Sequence, residues 1–271
     1  MKTILNQHFL RSFFLICFSF FLCAQASAVI RYVKQGGSGA GDGSSWANAS
    51  GNLQAMIDAS SSGDEVWVAA GIYKPTSGTD RTVSFVMRNG VAIYGGFPNA
   101  GDPGMAQRDW VVNVTTLSGD LNGNDGPGFA NIQENSYHVI FNNNNGLNNT
   151  AILDGFTISG GNAEYNPSDP SFEPENEYGG GMYNASSSPT IANCTFSGNY
   201  GVFGGGMYNT DSSPALTNCS FSGNGSTDGG GMLNEDASSP GLAGCDFINN
   251  TSAGGTGGMA NYSSASPALT A

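Results

Sequence analysis

The hexapeptide GGGMYN occurs at residues 179–184 and again at 204–209, and GGGMLN follows at 229–234. The methionines of these motifs and Met259 lie 25, 25 and 27 residues apart. A fixed period of this length is typical of a solenoid, in which each repeat forms one structural unit of the stack. Leucine-rich repeats have a similar length, but their leucine pattern is absent. Helical repeats need long amphipathic stretches, which the glycine, serine and asparagine of this region do not provide.

Each period divides into three short stretches whose side chains alternate between inward and outward positions. In the first repeat the inward residues are Met182, Ile191, Cys194 and Phe196. This alternation has the period of a β-strand. Glycine and asparagine separate the stretches, and both tolerate the left-handed backbone conformation that sharp bends require. The pattern therefore predicts an all-β fold, a parallel β-helix solenoid with three short strands per turn.

Successive turns of such a solenoid stack about 4.8 Å apart, so identical residues lie above one another. We therefore expect columns of methionine and phenylalanine inside the stack and two ladders of side-chain amides at the bends. The predicted ladders comprise Asn184, Asn209, Asn234 and Asn261, and Asn199, Asn224 and Asn250. Cysteines also recur at one position of the repeat, which favours small buried apolar residues over a disulfide or a metal site. They are Cys194, Cys219 and Cys245.

The repeat resembles that of the polymorphic outer membrane proteins, a family that couples a GGA-type glycine motif to FxxN. The matching positions are Gly180, Gly181, Phe196 and Asn199, then Gly205, Gly206, Phe221 and Asn224, then Gly230, Gly231, Phe247 and Asn250. Many secreted bacterial right-handed β-helix proteins have the same motif. The resemblance covers residues 178–271. It implies a right-handed β-helix and a surface-exposed or secreted protein with an adhesin-like or stalk role.

Residues 1–28 have the pattern of an export signal peptide. Lys2 and Arg11 supply positive charge, and the run FFLICFSFFLCA at 13–24 supplies the apolar segment. Ala26-Ser27-Ala28 provides small residues for cleavage. A membrane span needs about 20 apolar residues, so an uncleaved anchor is the weaker alternative. The signal predicts an extracellular location or one on the cell outer membrane surface.

The exported chain is strongly acidic. It has 243 residues, of which six are basic and 21 acidic, and no lysine or arginine follows Arg108. Nucleic acids and anionic lipids are bound through basic residues, so this composition predicts neither as a partner. No transmembrane helix is predicted after the signal. The sequence stops within a repeat, at SSASPALTA (263–271), and we expect an outer-membrane or sorting module in a missing C-terminal part.

Residues 29–177 lack a regular period but are predicted to form an N-terminal cap and irregular β-helix turns. Strand-like runs continue through them to TAILDGFTISGGN at 150–162, where Phe156 is expected in the place of the later phenylalanines. Three apolar residues at helical spacing predict a short capping helix, because the end of a solenoid must be covered. They are Leu53, Met56 and Ile57. Trp46 is expected to pack within this cap.

The β-helix is also the fold of carbohydrate-active enzymes of the pectin lyase-like type, and this class is the alternative function. Loops 120–135 and 163–177 would wall a groove that contains Asp154, Asp120 and Glu164, the candidate catalytic acids of a polysaccharide lyase or glycoside hydrolase. However, the NTD, DD, GHG and RIK motifs of polygalacturonases are absent, and no arginine has the surroundings of a lyase base. The sequence therefore favours a non-catalytic adhesin-like or stalk passenger.

One loop has the spacing of a calcium site. In GDLNGNDGPG at 119–128 the candidate ligands are Asp120, Asn122, Asn124 and Asp125. An EF-hand would have glycine where Asp125 stands and glutamate where Asn131 stands, so an ordinary Asn/Asp turn is the alternative. No other cofactor is predicted.

The expected partner is an extracellular polysaccharide or a host or cell-surface ligand. It would bind along a polar face of threonine, serine and asparagine that includes Tyr183 or Tyr208. His138 is the only histidine after the signal and stands in a strand-like run, which favours a structural role.

Overall fold

The computed structural model describes residues 28–168, 170 and 172–270, so the predicted export signal lies outside the described residues apart from its last position. Within this part of the chain, the α-helix is α1 (Leu53–Ala59), and 3₁₀ turns lie at Trp46–Asn48, Met105–Gln107 and Pro174–Glu177. The strands, in chain order, are β1 (Ile30–Val33), β2 (Glu65–Ala69), β3 (Gly71–Tyr73), β4 (Ala92–Phe97), β5 (Thr115–Ser118), β6 (Ile140–Asn143), β7 (Ile152–Asp154), β8 (Thr157–Ser159), β9 (Asn162–Ala163), β10 (Met182–Ala185), β11 (Thr190–Ala192), β12 (Thr195–Ser197), β13 (Tyr200–Phe203), β14 (Met207–Thr210), β15 (Ala215–Thr217), β16 (Ser220–Ser222), β17 (Gly225–Asp228), β18 (Met232–Glu235), β19 (Gly241–Ala243), β20 (Asp246–Ile248), β21 (Thr251–Ser252), β22 (Met259–Asn261) and β23 (Ala268–Thr270).

These strands form four parallel sheets along the stack. Sheet 1 has the order β1-β2-β4-β7-β11-β15-β19-β23, and sheet 2 has the order β3-β5-β8-β12-β16-β20. Sheet 3 is β9-β13-β17-β21, and sheet 4 is β6-β10-β14-β18-β22. In each regular turn the chain passes through sheets 4, 1, 2 and 3 in succession, and each strand pairs in parallel with the equivalent strand of the next turn. The fold is a right-handed parallel β-helix, as predicted.

The interior consists of columns of like residues in register. The two principal columns are Met182, Met207, Met232 and Met259, and Phe196, Phe221 and Phe247. Successive phenylalanine rings are nearly parallel, with centroids 4.7 and 4.8 Å apart. The described cysteines are free; Cys194 and Cys219 are buried in the same core, as predicted, whereas Cys245 packs against it and is only partly buried.

Both predicted amide ladders are present at the bends. In the first, each side-chain nitrogen donates to the side-chain oxygen of the next asparagine over 2.8–2.9 Å, and the ladder extends one turn further than predicted. Its members are Asn142, Asn184, Asn209, Asn234 and Asn261. The second comprises Asn199, Asn224 and Asn250, with distances of 3.0 and 2.9 Å. The ladders therefore satisfy amides that are buried at the corners of the stack.

The regular turns contain one short strand more than the three that were predicted. Sheet 3 is built from residues that follow the second bend, such as Tyr200–Phe203 after Gly198-Asn199. The sequence pattern predicted no strand at these residues. Their extended backbone pairs with the next turn nonetheless, as in the pairing of Tyr200 with Gly225.

Phe156 does not take the predicted place. Thr157 pairs with Thr195 and Ile158 with Phe196, so Ile158 occupies the phenylalanine column. Phe156 stands one residue before Thr157 and therefore matches Cys194. The bend before this strand, at Gly155 (φ 80°), corresponds to the bend at Asn193 (φ 51°) in the next turn, and it is the bend that sets the register.

The N-terminal end of the stack is covered as predicted. Leu53 and Ile57 of α1 are 3% and 2% exposed and belong to the main core, against which Met56 also packs. The Asn52 side chain caps the helix by accepting from the Ala55 backbone amide at 3.0 Å. Trp46 is buried too, but it lies in a separate aromatic cluster on sheet 1.

Candidate functional site

Asp154, the first candidate catalytic acid, is held in an ion pair. Nη2 of Arg108 lies 2.7 Å from Asp154 Oδ1 and 2.7 Å from the Asp154 backbone oxygen. Asn193 Nδ2 donates to the same carboxylate oxygen at 2.9 Å. The guanidinium lies over the rings of Tyr94 and Trp110, with centroid distances of 5.2 and 4.8 Å. Because both charges are mostly buried and hydrogen-bonded, Asp154 serves to fasten the loop before β5 to sheet 1.

Glu164, the second candidate, pairs with a buried arginine. Arg81 Nη1 lies 3.1 Å from Glu164 Oε1. The other nitrogens of Arg81 donate to backbone oxygens, at 2.7 Å to Asn135 and 3.2 Å to Asn162. The guanidinium also lies 4.1 Å from the centroid of Tyr137. Glu164 thus contributes the counter-charge for a cation that joins three segments of the chain.

Asp120, the third candidate, organises the loop between β5 and β6. Its Oδ1 accepts from the backbone amides of Gly123 and Asn124, and its Oδ2 accepts from that of Asp125 at 3.3 Å. The other predicted calcium ligands are exposed residues, namely Asn122, Asn124 and Asp125. The structure gives Asp154, Glu164 and Asp120 separate sets of partners, so these three acids do not form one catalytic group.

The same loop instead brings together a different group of acids. Ligand oxygens of Asp120, Asp125 and Glu134 all lie within 4.8 Å of one another. Partial burial raises the pKa of the Asp125 carboxyl to about 6, and the negative charges of Asp120 and Glu134 act in the same direction. Asn135 Nδ2 opposes this by donating to Asp125 Oδ2 at 2.8 Å, and the more distant Lys74 acts likewise. Glu134 was not among the residues predicted from the sequence, because it lies nine residues beyond Asp125 and outside the loop's regular spacing.

A cleft of about 420 Å³ lies beside this group, on the outer face of sheet 2. Its floor includes a column of serines, Ser118, Ser159 and Ser197, that pair in register on successive strands. Asp120 and Asp125 lie at one side of it, but Asp154 and Glu164 do not line it.

Phe129 forms the wall of the cleft. Its ring meets the ring of Tyr200 edge-on at 5.6 Å, and a side chain at Gly225 would collide with it. Phe129 has a left-handed backbone (φ 62°), which is costly for a bulky residue. The loop is therefore held across the turns of the stack by this contact. A polar floor with an aromatic wall is suited to a sugar, which presents hydroxyls at its edges and apolar faces to aromatic rings.

Tyr183 and Tyr208 do not form the binding face that the sequence analysis expected. They point away from the main core but are 6% and 5% exposed, because Tyr178, Phe141 and Phe203 cover them. Burial raises the pKa of Tyr183 to about 12. A ligand therefore cannot stack on these two rings without displacing their cover.

His138 has a structural position, as predicted. Its ring stacks on Phe141 at 4.6 Å, and Nδ1 lies 3.2 Å from the Gly179 backbone oxygen. Burial lowers the pKa of His138 to about 4, so the imidazole is neutral at physiological pH.

Fold and site together define a right-handed parallel β-helix with an acid-rimmed cleft on sheet 2. No protein-family model matches this chain, and a comparison with curated proteins found no match. Among solved structures it is similar to the crystal structure of pectate lyase Pel9A, with a TM-score of 0.51 and 14% sequence identity. The match covers 81% of this chain and 48% of that chain, so this chain spans about half the length of that lyase. At this identity the likeness shows the fold alone.

Among the described residues, no helix is long and apolar enough to cross a bilayer.

Proposed function

We propose that this chain is exported by its N-terminal signal and acts as a non-catalytic, adhesin-like or stalk protein, outside the cell or on its outer surface. The cleft over sheet 2 would bind an extracellular polysaccharide. The resemblance of the repeats to those of the polymorphic outer membrane proteins supports the location. The observation that supports a non-catalytic role is that Asp154, Glu164 and Asp120 are each used in a structural contact.

The geometry of the acidic group beside the cleft supports the same view. Glycoside hydrolases place two carboxyl groups on either side of the scissile bond, about 5–9.5 Å apart. Asp120, Asp125 and Glu134 instead converge on one point. A lyase needs a free basic group beside its substrate, whereas Arg108 is paired with Asp154 and its side chain is 7% exposed.

A carbohydrate-active enzyme is the second candidate, and one observation favours it. The raised pKa of Asp125, about 6, is suited to a general acid, and this carboxyl lies beside the cleft. Turnover of a polysaccharide that is abolished by Asp125→Asn in a folded variant would establish the enzyme and refute the proposal.

The binding role is tested by affinity electrophoresis of the exported chain through gels that contain neutral or anionic polysaccharides, with parallel assays for reducing ends and unsaturated products. We expect retardation by at least one polysaccharide without turnover. Phe129→Ala should weaken this retardation about fivefold or more, since truncating an aromatic anchor costs over about 1 kcal/mol. The matched control is Ile72→Ala, which shortens an exposed apolar residue of sheet 2 outside the cleft. Equal retardation of both variants would refute the assignment of the cleft.

A further inference from the structure

The loop between β5 and β6 contains an all-oxygen group whose negative charges outnumber the cation beside it. Three carboxylates, Asp120, Asp125 and Glu134, converge within 4.8 Å. Lys74 acts to lower the pKa of Asp125, and its Nζ donates to the Leu121 backbone oxygen at 3.0 Å. We infer that these carboxylates, with the side chain of Asn135, bind one divalent cation of the calcium type.

Unpartnered buried polar atoms at this point give the independent reason. The Asn135 side chain is fully buried and directed at the carboxylates, with Nδ2 2.8 Å from Asp125 Oδ2, yet its Oδ1 has no hydrogen-bond partner. Glu134 Oε1 is also buried without a partner. Such atoms are rare in folded proteins because each loses its hydration without compensation. A half-turn of the Asn135 amide directs Oδ1 toward the carboxylates, where it becomes a fourth oxygen ligand.

The composition of the group selects the kind of cation. Carboxylate and amide oxygens are the ligands of hard cations such as Ca²⁺ and Mg²⁺, and no histidine or cysteine belongs to the group among the described residues. Three negative charges against one ammonium leave an excess that a dication neutralises. Ca²⁺ accepts irregular sets of six to eight oxygens, whereas Mg²⁺ requires a near-ideal octahedron. The group lies on an irregular loop with Asp125 exposed to water, which can supply the remaining ligands, so the site favours Ca²⁺.

The stack leaves room for the site. Gly160, in the bend between β8 and β9, has φ 73°, and a Cβ there would lie 3.2 Å from Asp125 Oδ2 and 3.0 Å from the Asp120 amide nitrogen. The carboxylates thus lie directly on the backbone of the next turn. A bound cation would fasten the loop to the stack beside the cleft. This role does not depend on whether the cleft binds a polysaccharide.

The test is calorimetric titration of the EDTA-treated and dialysed exported chain with CaCl₂, together with the thermal unfolding midpoint with and without CaCl₂. We expect one site per chain and a higher midpoint in CaCl₂. Glu134→Gln should weaken binding tenfold or more, whereas Asp102→Asn, an exposed acid on another loop, should not change it. Flat heats with an unchanged midpoint for the wild type would overturn the inference. An equal loss of calcium affinity in Glu134→Gln and Asp102→Asn would also overturn the inference, because it indicates that calcium is attracted by the overall negative charge of the protein and not by one site.

A second variant keeps the test decisive if Glu134→Gln does not fold. Asn135→Asp supplies a fourth carboxylate at the position of the proposed amide ligand. In that chain we expect the rise in unfolding midpoint caused by CaCl₂ to be larger than in the wild type, with a lower midpoint in EDTA. A smaller rise would overturn the role of Asn135 as a ligand. Because these readouts measure calcium and not sugar, they fail or succeed independently of the retardation assay.

Discussion

Replacing Asn209 by alanine tests the amide ladder that joins the turns of sheet 4. Asn209 is fully buried; its Oδ1 accepts from Asn184 Nδ2 at 2.9 Å and its Nδ2 donates to Asn234 Oδ1 at 2.8 Å. Alanine leaves one buried donor and one buried acceptor without partners. Each such group costs about 1–3 kcal/mol, so the free energy of unfolding should fall by about 2–6 kcal/mol.

Asn261→Ala is the matched control, because Asn261 is the exposed end of the same ladder. This substitution removes one hydrogen bond, from Asn234 Nδ2, and water can replace the lost acceptor. The expected loss is about 0.5–1.5 kcal/mol.

Equilibrium unfolding in urea, followed by circular dichroism, measures the difference between the two variants. Hydrogen exchange then locates it, since in a solenoid the loss should spread to the neighbouring strands β10 and β18. Two outcomes would refute the predicted role of the ladder: an equal fall in the free energy of unfolding for Asn209→Ala and Asn261→Ala, or faster hydrogen exchange in β14 alone.

Three further sets of substitutions test the core, the buried histidine and the buried ion pair. In urea unfolding, Phe221→Ala should lower the free energy of unfolding by about 3–5 kcal/mol and Phe221→Leu by less than about 1.5 kcal/mol. A loss for Phe221→Leu as large as that for Phe221→Ala would contradict the stacked column. Burial lowers the pKa of His138 from 6.5 to about 4, so as pH falls the unfolded chain binds the proton before the folded chain does. The free energy of unfolding of the wild type should therefore fall by roughly 3 kcal/mol relative to that of His138→Phe between pH 6.5 and pH 4. Asp125 titrates in both chains, so its effect cancels, and parallel pH–stability curves would contradict the prediction. Arg108→Gln should cost about 3–5 kcal/mol by leaving Asp154 unpaired, and adding Asp154→Asn should recover part of the loss in a double-mutant cycle, whereas strict additivity would show no coupling.

The periodic part of the fold could be predicted from the sequence almost residue by residue. A column needs only a constant period and an alternating pattern, and both can be read between Met182 and Met259. The error at Phe156 shows the limit of this reasoning. Matching by residue type placed Phe156 with the later phenylalanines, whereas matching by bend, Gly155 with Asn193, gives the observed register.

Contacts outside the period could not be predicted in this way. Tyr183 alternates as an outward residue, yet it is buried because Tyr178 and Phe203, from other positions of the repeat, cover it. Loop contacts are equally hidden. Asp120 and Asp125 are close in sequence and could be grouped, but Glu134 joins them only through the path of the intervening loop.

The distribution of charge explains why the regular repeats could be predicted from the sequence and the contacts of the irregular turns could not. Ion pairs among the described residues occur only where a cation precedes the regular repeats, and they are Arg31–Asp64, Arg81–Glu164 and Arg108–Asp154. No lysine or arginine follows Arg108, so the regular turns are stabilised by stacked apolar and amide columns, whose phase the sequence displays. The irregular turns depend on pairs of residues 33 to 83 positions apart, which no local pattern reveals. Salt and pH should therefore act chiefly on the irregular turns, where the cleft and the acidic group lie.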